Sequence, residues 1–199
     1  MKLNTNTGGS TERIEPKTGL TQAVISSIVD LGTQETNFGA KRQVMFTFEL
    51  PHQTHVFDEE KGAQPLIRNK TYTMSLHEKA GLRKAIRGIL GKDLVDGADF
   101  ELFDLIGKNC MINLVEGTGS DGKKYINIDS ITPLMDGMAE VEPAEVKRFD
   151  LDAFSFDDYM GLYNWVQEKI AQSPEYKALP AQGTTDTVSV NNTPDDIPF

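Results

Sequence analysis

The change of hydrophobic period between residues 44 and 90 constrains this fold more than any other feature of the chain. Val44, Phe46, Phe48 and Leu50 alternate with Met45, Thr47 and Glu49, and Tyr72, Met74 and Leu76 alternate with Thr71, Thr73 and Ser75. A two-residue period sends alternate side chains to one face of a pleated strand, so both stretches predict strands. Pro51 is expected to stop the first of them. The period then lengthens. Leu82, Ile86, Ile89 and Leu90 fall at helical spacing, with Arg83, Lys84 and Arg87 on the polar side and Gly91 as the stop. Upstream, the apolar run over 20–31 (Ala23, Val24, Ile25, Ile28, Val29, Leu31) predicts a long, bent first strand, followed by a polar loop over 32–40. Residues 52–67 read as irregular. Downstream, a short helix over 100–106 closed by Gly107 precedes strands at 110–115 and 125–131, and the glycine-rich stretch 117–122 between them suits a hairpin loop.

Three strands, a helix and a closing hairpin is the element order of the OB-fold, a five-stranded Greek-key barrel. The expectation is therefore a mainly β protein, with the OB-fold domain over 20–135 and its helix between strands three and four. Residues 1–19, rich in Thr, Asn and Gly, read as a flexible N-terminal segment. Beyond Pro133 an acidic segment leads to an amphipathic helix of about 154–172, marked by Tyr159, Leu162, Tyr163, Val166 and Ile170. Trp165, the only tryptophan, falls beside that stripe and reads as the edge of a packing surface against the barrel or another subunit rather than as a residue that stacks on a base. Residues 136–179 thus form a second segment, and 180–199 a disordered tail.

Charge sharpens the functional reading. The net charge of −10 argues at first against a polyanionic ligand. However, residues 136–199 carry 13 acidic side chains against 4 basic, which leaves 17 against 16 in residues 1–135. A nearly neutral body with a basic stretch over 68–92 and an acidic tail is the asymmetry expected where the tail must not itself bind nucleic acid. The single Cys110 excludes an internal disulfide and fits a reducing cytoplasm. No apolar run is long enough for a membrane span, and the first residues lack an apolar signal core.

Three catalytic or metal readings fail on their own chemistry. Gly117 to Lys123 fits the frame of a phosphate-binding loop, but Lys124 stands where a magnesium-binding Ser or Thr is needed, and a strand pattern follows instead of a helix. His52, His55, Asp58, His77 and Cys110 include one ligand-like spacing with no second pair to complete a metal site. The carboxylates between Asp150 and Asp158 lack a lysine or histidine constellation and suit the start of a helix. No cofactor, metal or catalytic role is expected.

Single-stranded nucleic acid requires cations along the phosphates and flat side chains for the bases. Phe46 and Phe48 share the core parity of their strand and are not candidates. Phe38 beside Lys41 and Arg42 in the first loop and Tyr125 after Lys123 and Lys124 are, as is Tyr72 after Arg68 and Lys70, although Tyr72 shares parity with Met74 and Leu76 and suits the core equally well. These clusters fall at the loops and strand that carry ligands in OB-folds. Phosphate contacts by these six cations predict an affinity that falls steeply with salt.

The chain ends Thr193-Pro194-Asp195-Asp196-Ile197-Pro198-Phe199. The prolines keep it extended, Phe199 can fill an apolar pocket, and a basic partner residue can take its carboxylate. Over Asp195, Asp196, Ile197, Pro198 and Phe199 it resembles the acidic C-terminal tip of bacterial single-stranded DNA-binding proteins. The stretch Lys123-Lys124-Tyr125-Ile126-Asn127-Ile128-Asp129-Ser130-Ile131-Thr132-Pro133 is similar to a strand of phage-encoded single-stranded DNA-binding proteins. The resemblance implies a protein that coats single-stranded DNA without sequence preference during replication, recombination or repair, in the cytoplasm (a host's, if phage-encoded). Its tip would recruit partner enzymes. The body does not match the bacterial proteins, so their tetramer is not implied and a homo-oligomer of another kind stays open. The alternatives are a strand-annealing or recombination-mediator protein with the same fold and tip, and a decoy that captures host repair enzymes through the tip.

Overall fold

The computed structural model describes residues 14–97, 99–119 and 122–179. The tip residues Asp195, Asp196, Ile197, Pro198 and Phe199 lie outside the described residues. The architecture is mainly β: one six-stranded sheet with a few short helices. The strands are β1 (Gly19–Gln34), β2 (Lys41–Asp58), β3 (Gly62–Thr73), β4 (Asn109–Thr118), β5 (Lys124–Pro133) and β6 (Lys147–Phe149). The antiparallel path runs β3-β2-β1-β4-β5, and β6 adds to β1 in parallel. No ladder joins β3 to β5 among the described residues, so the sheet is not closed.

Two hydrophobic layers share β1 and β2. On one face Ile25, Ile28, Val44, Phe46, Phe48, Leu50, Ile112 and Leu114 pack with Leu82 and Ile86 of helix α1 (Gly81–Leu90). On the other, Val29, Leu31 and Met45 pack against Phe149, Leu151, Tyr159, Leu162, Val166 and Ile170. Both faces of β1 are therefore covered, which is why its sequence is an apolar run rather than an alternation. The predicted bend is present as two ladder irregularities, between Ile25 and Ser27 and between Asp30 and Gly32. Gly32 adopts φ +66°, and a Cβ there would lie 2.5 Å from Cβ of Ser173. Any side chain at this position would push the C-terminal layer off the strand.

Several expectations are corrected. Pro51 does not stop β2. The β1–β2 ladder has already ended at Val24 opposite Glu49, and the β2–β3 ladder is irregular between Leu50 and Thr54. The missing N–H of proline leaves no hydrogen bond unmade at such a place. Residues 52–67 accordingly form a long β2–β3 hairpin instead of an irregular stretch. The helix expected over 100–106 is a single 3-10 turn, Leu102–Leu105, whose Phe103 N–H is taken by the Glu101 carboxylate at 3.1 Å. The helix expected over 154–172 is broken into α2 (Phe156–Met160) and α3 (Asn164–Ala171), with α4 (Pro174–Lys177) beyond. Tyr163 is extended at φ −64°, ψ 143°, and this re-aims α3 so that Val166 and Ile170 reach the sheet. Within the N-terminal segment read as flexible, Pro16 is buried, Glu15 pairs with Arg68, and Lys17 N–H donates to Gln53 Oε1 at 2.7 Å.

Candidate nucleic-acid interface

The predicted site residues separate into two groups. At one end of the sheet, Phe38 projects from the β1–β2 turn with 89% of its surface exposed. Thr36 holds that turn, its hydroxyl accepting from Phe38 N–H at 3.1 Å and donating to Gly39 O at 2.6 Å. Lys41 is exposed beside it. Arg42 is committed elsewhere: its guanidinium pairs with the buried Asp30 and, at 2.9 Å, with Asp152. The Asp30 hydrogen bond outweighs the cost of burial and raises the Arg42 pKa above its ordinary value. Arg42 thus ties the β1 bulge to the C-terminal layer.

The second group runs from Tyr72, opposite Val44 and near Arg42, toward the other end of the sheet. Arg68 pairs across β2 with Phe48, six residues along the strand from Arg42, or roughly 20 Å at ~3.3 Å per residue. Arg68 is largely buried and forms an ion pair with Glu15. Lys70 donates from Nζ to Asn127 Oδ1 at 3.1 Å and to Ile128 O at 2.9 Å, a stitch between the two end strands β3 and β5. Burial lowers its pKa, against the pull of Asp129. Tyr72 belongs to the core edge and not to a stacking surface. Its ring meets Phe46 edge-on at 5.5 Å between centroids, and burial pushes its hydroxyl pKa up. Lys123 and Lys124 are exposed on the β4–β5 hairpin, and Lys124 pairs with Glu116 at 2.8 Å.

Tyr125 keeps the outward position its phase predicts, with 47% of its surface exposed. It stands directly across the ladder from Gly117, and a Cβ on Gly117 would lie only 2.7 Å from Tyr125 Cζ. The ring therefore lies down on bare backbone, a placement that only glycine opposite it permits. The result is a half-exposed aromatic plate whose orientation is fixed before any ligand arrives.

Tyr125 opens onto a cavity of about 470 Å³ that it shares with Phe57, Ile67, Arg68, Asn69 and Trp165. This continues into a groove of about 1080 Å³ between the β2–β3 hairpin and the C-terminal layer. Phe57, Pro65 and Ile67 form one wall of that groove and Tyr163 and Trp165 the other. Lys147 lies at its side, its ammonium 4.8 Å from the Tyr163 ring centroid and 3.3 Å from a Glu145 oxygen. Phe57, Tyr163 and Trp165 were not among the predicted site residues. The alternation His55-Val56-Phe57 would have flagged a strand had Pro51 not been read as its end. Trp165, half exposed on α3, lines both cavities.

His52 is bonded to Gln22 at 2.9 Å and Cys110 is buried in the core, where burial pushes its thiol up to about 12. Among the described residues no group of three or more His, Cys, Asp or Glu side chains is placed to hold a metal ion. No helix among them is long and apolar enough to cross a membrane. The sequence matches no protein-family model and no curated protein.

Proposed function

We propose that this protein binds and protects single-stranded DNA without sequence preference during replication, recombination or repair, and recruits partner enzymes through its C-terminal tip. The strand path β3-β2-β1-β4-β5 is compatible with an OB-type arrangement and supports the reading, with Lys70 reaching from β3 to β5 where no ladder joins them. The observation that carries the reading is the Tyr125 plate. A phenol ring fixed over Gly117, half exposed beside Lys123 and Lys124 on the closing hairpin, is the geometry a base can stack on. Base stacking is indifferent to sequence, because every base has a flat face. The reading assigns no catalytic step.

The experiment is a titration of the full chain with labelled single- and double-stranded oligonucleotides, for the native protein and Tyr125→Ala. Stacking on one aromatic is worth roughly 1–3 kcal/mol, so Tyr125→Ala should weaken single-strand binding about 5- to 150-fold with little loss of thermal stability. Equal affinity for single and double strands, or a Tyr125→Ala protein that binds as the native one does, would refute the proposal.

A further inference from the structure

Resting on the single-stranded DNA reading, we infer that the C-terminal layer supplies the second wall of the DNA site, and that Trp165 stacks on an unpaired base in the groove between α3 and the β2–β3 hairpin. The layer is then part of the binding surface rather than a carrier for the tail.

The groove offers flat apolar faces on both sides. Phe57 is 58% exposed on one wall, and Tyr163 and Trp165 are 52% and 49% exposed on the other. Large rings facing each other across a cavity mark a surface built to be covered. The carboxylates that line it are already engaged. Glu49 accepts from Ala144 N–H at 2.8 Å, and Glu145 pairs with Lys147 at 3.3 Å. Lys61 stands exposed at the hairpin end of the groove. Rings with a cation at the rim match a chain of bases joined by phosphates.

Continuity fixes the path. Tyr125 and Trp165 line the same cavity, and Phe57, Ile67, Asn69 and Trp165 line both that cavity and the groove. A strand stacked on Tyr125 can therefore continue past Ile67 and Asn69 to Trp165 without leaving the surface. An apolar, acidic peptide is the competing occupant, and residues 193–199 of this chain are one such peptide.

Trp165 is the only tryptophan, so its emission reports this groove alone. The full chain is titrated with oligothymidylate while Trp165 fluorescence and the anisotropy of a labelled oligonucleotide are followed in parallel. The expected result is an emission change that saturates with the anisotropy. Trp165→Ala should lose about 5- to 150-fold in affinity with its thermal midpoint retained, and Trp165→Phe should recover most of the loss. If Trp165→Ala unfolds the C-terminal layer, acrylamide quenching of the native protein decides: shielding of Trp165 by DNA supports the inference, and unaltered quenching overturns it. Normal binding by anisotropy with silent Trp165 and a fully active Trp165→Ala would overturn the inference and leave the DNA reading standing. No anisotropy change with any single strand would remove both. A response of Trp165 to the free 193–199 peptide, and none to oligothymidylate, would make the groove a peptide site and overturn the inference.

Discussion

Phe149→Ala tests whether residues 136–179 fold as one body with the sheet. Phe149 is 1% exposed on β6, and β6 is hydrogen-bonded to β1 at Ser27, Ile28 and Val29. Its ring lies 5.9 Å from Phe154 and 6.1 Å from Tyr159, and it packs in the layer that covers Val29, Leu31 and Met45. Truncating a buried Phe costs about 3–5 kcal/mol, against a typical total stability of ~5–15 kcal/mol. For a chain of this length each kcal/mol moves the thermal midpoint by about 2–4 °C, so a fall of roughly 6–20 °C is expected. Two probes separate the layers. Trp165 emission reports the C-terminal layer, and alkylation of Cys110, buried in the opposite core, reports opening of the sheet. Because β1 and β2 belong to both cores, the two probes and far-ultraviolet circular dichroism should shift together. A Phe149→Ala protein whose Trp165 transition falls while Cys110 protection stays at its native value would show a separately folding C-terminal segment and refute this reasoning.

Three further outcomes follow from the same contacts. Gly88→Ala should destabilise by about 1–3 kcal/mol in urea denaturation, because its Cβ would lie 2.4 Å from the Ile131 carbonyl oxygen, although the change improves helix propensity; a stabilised variant would mean α1 does not sit tightly on β5. Arg42→Ala leaves the buried Asp30 without its ion pair and should cost about 1–3 kcal/mol of stability while oligonucleotide affinity holds, the reverse of what a phosphate contact predicts; titration and denaturation of the one variant decide. Phe199→Ala should abolish pull-down of any enzyme that reads the tip while single-strand affinity is retained, since the apolar anchor is lost and the charge of Asp195 and Asp196 remains.

What was legible in the sequence is what short-range periodicity encodes. The alternation at 44–50, the helical spacing behind α1 and the hairpin of β4 and β5 all depend on side chains choosing one of two faces. Periodicity does not say what covers the second face. Met45, Thr47 and Glu49 alternate with the core as solvent-facing residues would, yet they are buried because the C-terminal layer lies over them. The course of β2 beyond Pro51 was hidden for a related reason: a proline is read as a stop unless the partner strands are known to make no demand on its nitrogen. The Tyr125 plate was legible from its phase beside two lysines. The groove lined by Trp165 was not, because it exists only once α3 is laid against the β2–β3 hairpin.

Charge is where reading the chain residue by residue misleads most, and it decides how the proposed site should behave. Six cations were expected to meet phosphates, and for single strands the slope of log affinity against log salt is about −0.7 per phosphate neutralised, or roughly −4 for six. Arg42 is held by Asp30 and Asp152, Arg68 by Glu15 and Lys124 by Glu116, while Lys70 is engaged in the seam between β3 and β5. A phosphate reaching Arg42, Arg68 or Lys124 displaces a carboxylate and releases no net counterion, so these residues add little to the slope. With these four engaged within the protein, the slope at the proposed site should be clearly shallower than about −4, and stacking on Tyr125 and Trp165 must supply most of the affinity. The slope is read by titrating one labelled oligothymidylate from low to moderate salt with the native protein and with Tyr125→Ala. A native slope near −4 would mean the internal ion pairs open on binding. A shallow slope shared by both proteins, with the Tyr125→Ala line displaced to weaker affinity at every salt concentration, is the signature of a site that holds bases rather than phosphates.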